Sequence, residues 1–332
     1  MDSLTQIVLG AAVGEAVLGK KVGNKALLYG AIGGTIPDLD VLASHFTDTV
    51  SALEIHRGFT HSIVFSIVFA PIFGWLVSRY ERYKDFKGWS WLFFWGFITH
   101  PLLDAHTTWG TQLFWPFDLR VAYKTIFVVD PLYTLPFLVC LILVMCYKRT
   151  SKKRQFYNRL GLIISSSYLL ITVVLKVLAY SKFEDALKSQ NIDYFDVDTR
   201  PTPLNTILWT ANVDTKDTYL VGYYSFFDSK PIKFYSYPKH HEYLEDLKEN
   251  DKVQRMIAIS NGWYTISKHT NKLYFNDLRF GTMGIKQDPD QFVFKYEIHQ
   301  NSDGIITFIE TPKDREDAKG LLADLWKRLK GN

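Results

Sequence analysis

The N-terminal half of this 332-residue chain is a series of apolar segments separated by short charged clusters, and this pattern constrains the fold more than any other feature. In a bilayer a helix satisfies its own backbone hydrogen bonds, and it needs about 20 apolar residues to cross the hydrocarbon core. We therefore predict a polytopic α-helical membrane domain with about six spans over residues 1–183. The six segments, of which the first two are short, are Leu4–Gly19, Ala26–Ala43, His61–Tyr80, Trp89–Thr107, Val129–Tyr147 and Leu160–Lys182.

Residues 184–332 have the mixed charge distribution of a water-soluble domain. Runs of Tyr, Phe, Ile and Val alternate there with Asp, Asn, Gly and Pro, a pattern typical of strands. Helical periodicity over Glu242–Ile259 and Lys313–Lys330 adds two helices, so we expect a soluble, strand-rich α+β domain. The predicted strands are Thr206–Val213, Tyr219–Phe227, Ile232–Tyr237, Gly262–Lys268, Lys272–Asn276 and Phe292–His299.

Composition excludes two classes of protein. The formal net charge of +4 is too small to indicate a nucleic-acid partner. Cys140 and Cys146 are the only cysteines and share one apolar segment, which excludes a disulfide framework in the soluble half and a CxxC-type zinc site anywhere.

The first two apolar segments carry glycines at a spacing that allows helices to approach closely. The pairs Gly10-x3-Gly14 and Gly30-x3-Gly34 match the small-xxx-small pattern of membrane helix interfaces. The segments are expected to form either a tightly packed helix pair or a partly re-entrant hairpin.

The distribution of Lys and Arg predicts the orientation in the membrane. Six cationic residues and no acid lie in Tyr147–Arg159, four cationic residues lie in Arg79–Lys87, and three lie in Lys20–Lys25. Cationic loops stay in the cytoplasm, and with six spans all three loops lie on one side. We therefore expect Met1 and the soluble domain to be extracytoplasmic.

Ionisable residues in or beside membrane spans are costly, so they indicate function by default. This chain has five groups of them, and the predicted topology places every group at the extracytoplasmic end of a span. The groups are Asp2 with Gln6; Asp38 with Asp40; His56, Arg57 and His61; His100 with Asp104; and Asp130. Taken singly, such residues are more often caps or interfacial side chains. Their convergence on one face favours a shared site.

The spacing of these residues suits metal ligation. His100 and Asp104 are four apart and share a helix face. His56 and His61 are separated by Gly58, a possible break, with Thr60 as a possible N-cap of the next helix. Imidazole and carboxylate ligands favour zinc, with manganese or iron as alternatives, and one to three ions are expected. Such a metal would activate water for hydrolysis.

Four separated motifs resemble a known bacterial family, the YdjM-like membrane-bound metal-dependent hydrolases. The motifs are MDSLTQ, GTIPDLD, HRGFTHS and HPLLDAHTTWG, in this order, within about residues 1–150. A more distant likeness is to zinc-dependent phospholipase C and P1 nuclease. The resemblance implies metal ligands, or their immediate partners, at Asp38, Asp40, His56, His61, His100 and Asp104. The family commonly has histidine where this chain has Gln6, which would weaken one metal position.

The resulting hypothesis is a metal-dependent hydrolase of the bacterial inner membrane that acts on phosphoester lipids or other amphiphiles at the extracytoplasmic face. Asp38 or Asp40 would act as general base, and Arg57 would stabilise charge on a phosphoryl group. Further substrate contacts are assigned to Asp2, Gln6, Asp130 and Arg279, the last in an exposed loop or in a structural salt bridge with Asp277.

Two other classes of function remain open. One is an ion-coupled transporter, which the scarcity of polar residues in the inner halves of the spans disfavours. The other is a non-enzymatic envelope protein with a structural metal.

Overall fold

The structure, a computed structural model, describes residues 1–270, 272–284, 292–312 and 318–332. The chain divides into two compact units, each described by itself below. The first contains Met1–Ala43, Ile55–Val174 and Pro203–Asn205, and the second contains Ser44–Glu54, Leu175–Thr202 and Thr206–Asn332.

Helices form the first unit, as the sequence predicts. Three of them are long and apolar enough to cross a membrane: Asn24–His45, Ile63–Tyr80 and Lys152–Ser189, the first including a 3-10 extension. Pro131–Cys146 is apolar but shorter. The helical membrane region is therefore confirmed, whereas the number of six spans stays a prediction. The helices in this part of the chain are α1 (Ser3–Val22), α2 (Asn24–Thr35), α3 (Thr49–Ile55), α4 (Ile63–Tyr80), α5 (Phe86–Asp104), α6 (Pro131–Cys146) and α7 (Lys152–Ser189). Nearly all of α3, and α7 from Leu175 onwards, belong to the second unit.

Helices α1 and α2 form a tightly packed antiparallel pair, the first of the two predicted alternatives. A Cβ atom on Gly10 would lie 2.9 Å from the Cα of Gly34, and one on Gly14 would lie 2.9 Å from the Cα of Gly30. Only hydrogen atoms fit between the two backbones at these positions. The turn between the helices is Gly23, whose φ of 64° lies in the left-handed region that glycine adopts without strain.

The three cationic loops contact one another at one end of this unit. The Nζ of Lys21 lies 3.1 Å from a carboxylate oxygen of Asp85, and Lys25 pairs with Glu81. The guanidinium of Arg149 donates to the backbone carbonyl of Lys21 at 2.7 Å. The loops that the charge pattern assigns to one side of the membrane are therefore neighbours in the fold.

Near this end lies a buried ion pair between Glu15 and Arg154, which joins α1 to α7. The guanidinium contacts both carboxylate oxygens, at 2.7 and 2.6 Å. It also donates to the side chain of Asn24 and to the carbonyls of Val144 and Tyr147. The expectation that the inner halves of the helices lack polar residues is therefore wrong. Apolar residues of α1 nevertheless separate this pair from Gln6, so no line of ionisable groups joins the two ends of α1.

The second unit contains two antiparallel four-stranded sheets with strand orders β1-β2-β3-β4 and β5-β6-β7-β8. The six predicted strands are confirmed as β2 to β7, while β1 and β8 are additional. The strands are β1 (Asp196–Pro201), β2 (Leu208–Asp214), β3 (Thr218–Ser225), β4 (Phe234–Pro238), β5 (Tyr264–His269), β6 (Lys272–Thr282), β7 (Phe292–Gln300) and β8 (Ile306–Glu310).

The two predicted helices of this unit are present in modified form. The first is split into a 3-10 turn over His241–Leu247 and helix α8 over Asp251–Ile259. The second is α9 over Ala318–Leu329, and residues 313–317 of its predicted range lie outside the described part of the chain.

A short segment between two of the polar motifs also belongs to the second unit. Val50, on α3, is 1% exposed and packs into the apolar core between α8 and the second sheet. Arg255 of α8 donates to Glu54 and to the hydroxyl of Ser51. The chain therefore leaves the first unit after Ala43 and returns to it at Ile55.

Gly30→Ala is expected to destabilise the first unit by about 1–3 kcal/mol, the usual range for overpacking. The added methyl group would lie 2.9 Å from the Cα of Gly14, so the two backbones would have to separate. Thermal unfolding of the purified protein in detergent measures the effect.

Gly33→Ala is the matched control on the same helix. Its methyl group would have 3.4 Å to its nearest neighbour, an ordinary contact, and alanine favours the helix. Equal unfolding midpoints for the two variants would contradict the proposed packing constraint.

Candidate metal centre

Four polar side chains from three separate segments of the first unit converge on one point. They are Asp38, His61, His100 and Asp104, and their candidate ligand atoms all lie within 4.8 Å of one another. His61, His100 and Asp104 are completely buried, whereas the side chain of Asp38 is 22% exposed. The centre is therefore enclosed by protein except on the side of Asp38.

Local structure explains how each residue reaches this point. His100 and Asp104 lie one turn apart on α5, as their spacing predicts. Asp38 follows Pro37 in the 3-10 segment Ile36–His45 that continues α2. His61 ends a 3-10 turn immediately before α4, whose N-cap is Ser62 rather than the predicted Thr60, since the Ser62 hydroxyl accepts from the backbone N–H of Phe65.

Hydrogen bonds on the far side of each imidazole fix its orientation. The Nδ1 of His100 lies 2.6 Å from the carbonyl oxygen of Gly34 and donates to it. The Nδ1 of His61 lies 3.1 Å from the hydroxyl oxygen of Thr60 and 3.3 Å from a carboxylate oxygen of Asp40, and either oxygen can accept its hydrogen. A neutral imidazole that donates from Nδ1 has a lone pair on Nε2. The two Nε2 atoms lie 3.1 Å apart, so two lone pairs point at the same small volume.

Two carboxylates face the same volume. The Oδ1 of Asp38 lies 3.4 Å from the Nε2 of His61 and 3.3 Å from that of His100. The Oδ2 of Asp104 lies 3.6 Å from each of these nitrogens. Four acceptors this close repel one another unless a cation lies between them.

These separations fit a metal ion. Ligands about 2.0–2.1 Å from a tetrahedral zinc ion are about 3.3 Å from one another. Five of the six separations are 3.1 to 3.6 Å and fall around this value, and all six are within 4.8 Å. Among the described residues the buried Oδ2 of Asp104 has no hydrogen bond of suitable geometry, although the Nε of Arg57 lies 3.0 Å from it as an ion-pair partner. The residues present therefore fit a divalent metal, and they do not identify which one.

Asp40 and His56 are not among the four converging residues but lie next to them. The carboxylate of Asp40 accepts hydrogen bonds from Nδ1 of His56 at 3.0 Å, from the backbone N–H of Arg57 at 2.7 Å and from the hydroxyl of Thr60 at 3.2 Å. It also faces Nδ1 of His61. Asp40 thus orients a ligand, the role that carboxylates commonly play behind metal-bound histidine.

Arg57 is buried beside the cluster. Its Nε lies 3.0 Å from the Oδ2 of Asp104, and its Nη1 donates to the hydroxyl of Thr107 at 2.8 Å. Its φ of 58° lies in the left-handed region, which is unusual for a residue with a long side chain. This conformation directs its backbone N–H to Asp40 and its guanidinium to Asp104.

Gln6 forms part of the wall of the cluster. Its Nε2 donates to the Oδ1 of Asp104 at 2.8 Å, and the amino group of Met1 contacts the same oxygen. The Oε1 of Gln6 is buried without a hydrogen-bond partner among the described residues. The residue that departs from the family pattern therefore contacts a candidate ligand.

The other predicted substrate contacts lie elsewhere. Asp2 caps α1, and Asp130 caps α6 while it accepts from the hydroxyl of Tyr168. Arg279 lies in β6 of the second unit, is 1% exposed and pairs with Asp277. The prediction of an exposed loop is therefore wrong for Arg279, and the alternative of a structural salt bridge is confirmed.

Comparison with known proteins identifies the family to which this chain belongs. A family model described as YdjM inner membrane protein matches residues 1–179. The inner membrane protein YbcI of Escherichia coli is 30% identical over 112 residues, which cover 34% of this chain and 64% of YbcI. YfhP of Bacillus subtilis is 30% identical over 140 residues, which cover 40% of this chain and 42% of YfhP.

The matched region thus spans about two fifths to two thirds of these relatives. Their names state a membrane location or no property, and none states a reaction. No solved structure matches the chain. The likeness to phospholipase C and P1 nuclease therefore stays a prediction.

His100→Ala and His61→Ala are each expected to abolish stoichiometric binding of a divalent metal, because each removes one of four converging ligands. His56→Ala is expected to keep it, because His56 hydrogen-bonds Asp40 and touches the four candidate ligands only through an edge-to-face ring contact with His61, with centroids 6.4 Å apart. Metal analysis of the purified proteins by mass spectrometry measures both outcomes. Loss of metal from His56→Ala as complete as from His100→Ala would contradict the four-residue centre.

Proposed function

This chain belongs to the YdjM inner membrane protein family, and from that premise we propose that it is a membrane-bound metal-dependent hydrolase. It is an inner membrane protein. The observation that carries the proposal is the convergence of two imidazole nitrogens and two carboxylate oxygens on one point with a single exposed side. A divalent metal bound there supplies Lewis acidity and lowers the pKa of water, so that a nucleophile is available at neutral pH.

The exposure of Asp38 supports a catalytic rather than a sealed centre. His61, His100 and Asp104 are fully buried and would hold the metal, as the three protein ligands of catalytic zinc sites do. Asp38 lies at the open side, where substrate and water would enter. Its carboxylate is therefore placed either to complete the ligand set or to accept a proton from the attacking water.

Asp40 and Arg57 would act mainly by positioning. Asp40 holds the imidazole of His61 in the tautomer that leaves Nε2 free for the metal. Arg57 lies against Asp104 and neutralises part of the negative charge of the two carboxylates. Its guanidinium would also stabilise charge that develops on a phosphoryl group held at the metal.

We propose amphiphiles with a phosphoester group as the substrate class. The centre is built on membrane helices, so a substrate that resides in the bilayer reaches it by lateral diffusion. The cationic loops lie together near Lys20–Lys25, at the opposite end of α1 from Gln6. By the rule that cationic loops stay in the cytoplasm, the centre then faces the extracytoplasmic leaflet, with a membrane domain over 1–183 and a soluble extracytoplasmic domain over 184–332.

A structural metal is the second candidate, and one observation favours it. Two histidines and two aspartates already form a complete set of four protein ligands, which is the hallmark of structural zinc sites. An ion-coupled transporter is less well supported, because the residues of α1 between Gln6 and Glu15 are apolar.

The enzyme and the structural site predict different behaviour. Wild-type protein reconstituted with zinc or manganese in phospholipid vesicles is expected to release a phosphate-containing head group or its ester product, detected by mass spectrometry. His100→Ala is expected to lose this activity by at least about a hundredfold, as is common when a catalytic group is removed. His45→Ala, an exposed histidine outside the centre, is the control.

The enzymatic function would be contradicted if the wild-type protein turns over none of the vesicle lipids although it binds metal stoichiometrically and unfolds when the metal is removed. That combination would support the structural metal.

The orientation can be tested independently of the chemistry. Alkaline phosphatase fused after Asn332 is expected to be active, since it folds only outside the cytoplasm, whereas a green fluorescent protein fused there is expected to be dark. Inactive alkaline phosphatase together with fluorescent green fluorescent protein would place the soluble domain in the cytoplasm. That result would contradict the orientation proposed for this domain and for the centre.

A further inference from the structure

A cavity of about 290 Å³ in the second unit is independent of the metal centre. It lies between β4 of the first sheet and the β5–β6 hairpin of the second. Most of its lining side chains are either aromatic, forming the walls, or hydroxyl and amide groups, forming the floor. Its lining includes Tyr237, Tyr243, Phe292, Ser267, Asn276 and His240.

The floor contains a buried amide with unused hydrogen-bonding capacity. Asn276 is completely buried, and its Nδ2 donates to the hydroxyl oxygens of Thr265 at 3.2 Å and Ser267 at 3.1 Å. Its Oδ1 has no hydrogen-bond partner among the described residues. If the amide is turned over, the hydroxyls donate to Oδ1 and the NH2 group is the one left over. Either way, one polar atom of this buried side chain is left without a partner among the described residues.

Ser267 brings this polarity to the cavity surface. It is half-buried, whereas Thr265 is 3% exposed. Because its oxygen accepts from Asn276, its hydroxyl hydrogen is available to a ligand acceptor. The exposed side chain of Lys268 follows it in sequence and adds a cationic donor at the rim.

The walls offer flat aromatic surfaces. His240 and Tyr243 stack with their ring centroids 5.1 Å apart and their planes inclined by 9°. These side chains are 40% and 41% exposed. Tyr237 and Phe292 are nearly buried and meet edge to face, with centroids 5.9 Å apart and an angle of 65°. An occupant would therefore need an apolar face as well as polar edges.

We propose that this cavity binds a single saccharide unit. A pyranose ring has C–H bonds on its faces, which pack against aromatic rings, and hydroxyl groups on its edges, which both donate and accept. Hydroxyl groups match Ser267, which the buried amide of Asn276 polarises and positions, and the exposed ammonium group of Lys268. The volume is at the lower limit of small-molecule sites, about 300 Å³, and so suits one ring rather than a lipid chain.

Full-length protein in a zwitterionic detergent without a sugar head group is the sample for the test. The probes are methyl β-glucoside and N-acetylglucosamine, with cyclohexanol as an analogue of similar size and one hydroxyl. Saturation-transfer NMR is expected to show transfer to the sugar ring protons at millimolar concentration. The affinity for at least one sugar should exceed that for cyclohexanol by about tenfold.

Tyr243→Ala and Ser267→Ala are each expected to weaken sugar binding by about fivefold. Both residues are at least partly exposed, so their replacement should leave the fold intact, which circular dichroism checks. Phe227→Ala removes an aromatic side chain that is 60% exposed and does not line the cavity, and it should have no effect.

Binding of cyclohexanol as tight as that of the sugars would show an unspecific apolar cavity and overturn the proposal. The absence of transfer to either sugar in the correctly folded wild type would also overturn it. Neither result bears on the metal centre, because no residue of the cavity belongs to the first unit.

Discussion

Two imidazole nitrogens that face each other at 3.1 Å are the interaction on which the rest of the membrane unit depends. Each nitrogen is an acceptor because the opposite side of its ring faces fixed oxygens, the carbonyl of Gly34 for His100 and the Thr60 hydroxyl with the Asp40 carboxylate for His61. With two carboxylates added, the arrangement is stable only around positive charge. The chemistry of the centre is therefore set by the groups behind the ligands as much as by the ligands themselves.

Helix packing and the centre share residues. Gly34 lies so close to α1 that a Cβ atom would meet the carbonyl of Gln6, and its own carbonyl orients His100. Gln6 in turn donates to Asp104. The glycine contacts between α1 and α2 thus fix the distance between the first motif and the others, so a looser helix pair would also displace the ligands.

Most of the helices and the four converging residues could be predicted from the sequence, because apolar segments and the His100-x3-Asp104 spacing are local signals. The different positions of Asp38 and Asp40 could not, since two carboxylates two residues apart look alike until the 3-10 geometry separates them. Strand β1 has the sequence DVDTRP, in which every residue after Asp196 is buried although most are polar, so no alternation of apolar residues reveals it. The composition of the segment around Val50 resembles neither the apolar half nor the charged half of the chain. Only its packing contacts show that it belongs to the second unit.

The ion pair between Glu15 and Arg154 has a consequence for biogenesis. The two residues are 139 positions apart, so the ribosome emits α1 long before α7. A lone carboxylate within hydrocarbon is costly. Before α7 is made, the only cations of α1 that can neutralise Glu15 are the lysines that follow it. The bidentate contact of Glu15 with Arg154 can therefore form only after α7 has been synthesised, so the contact between α1 and α7 is completed late in the folding of the first unit.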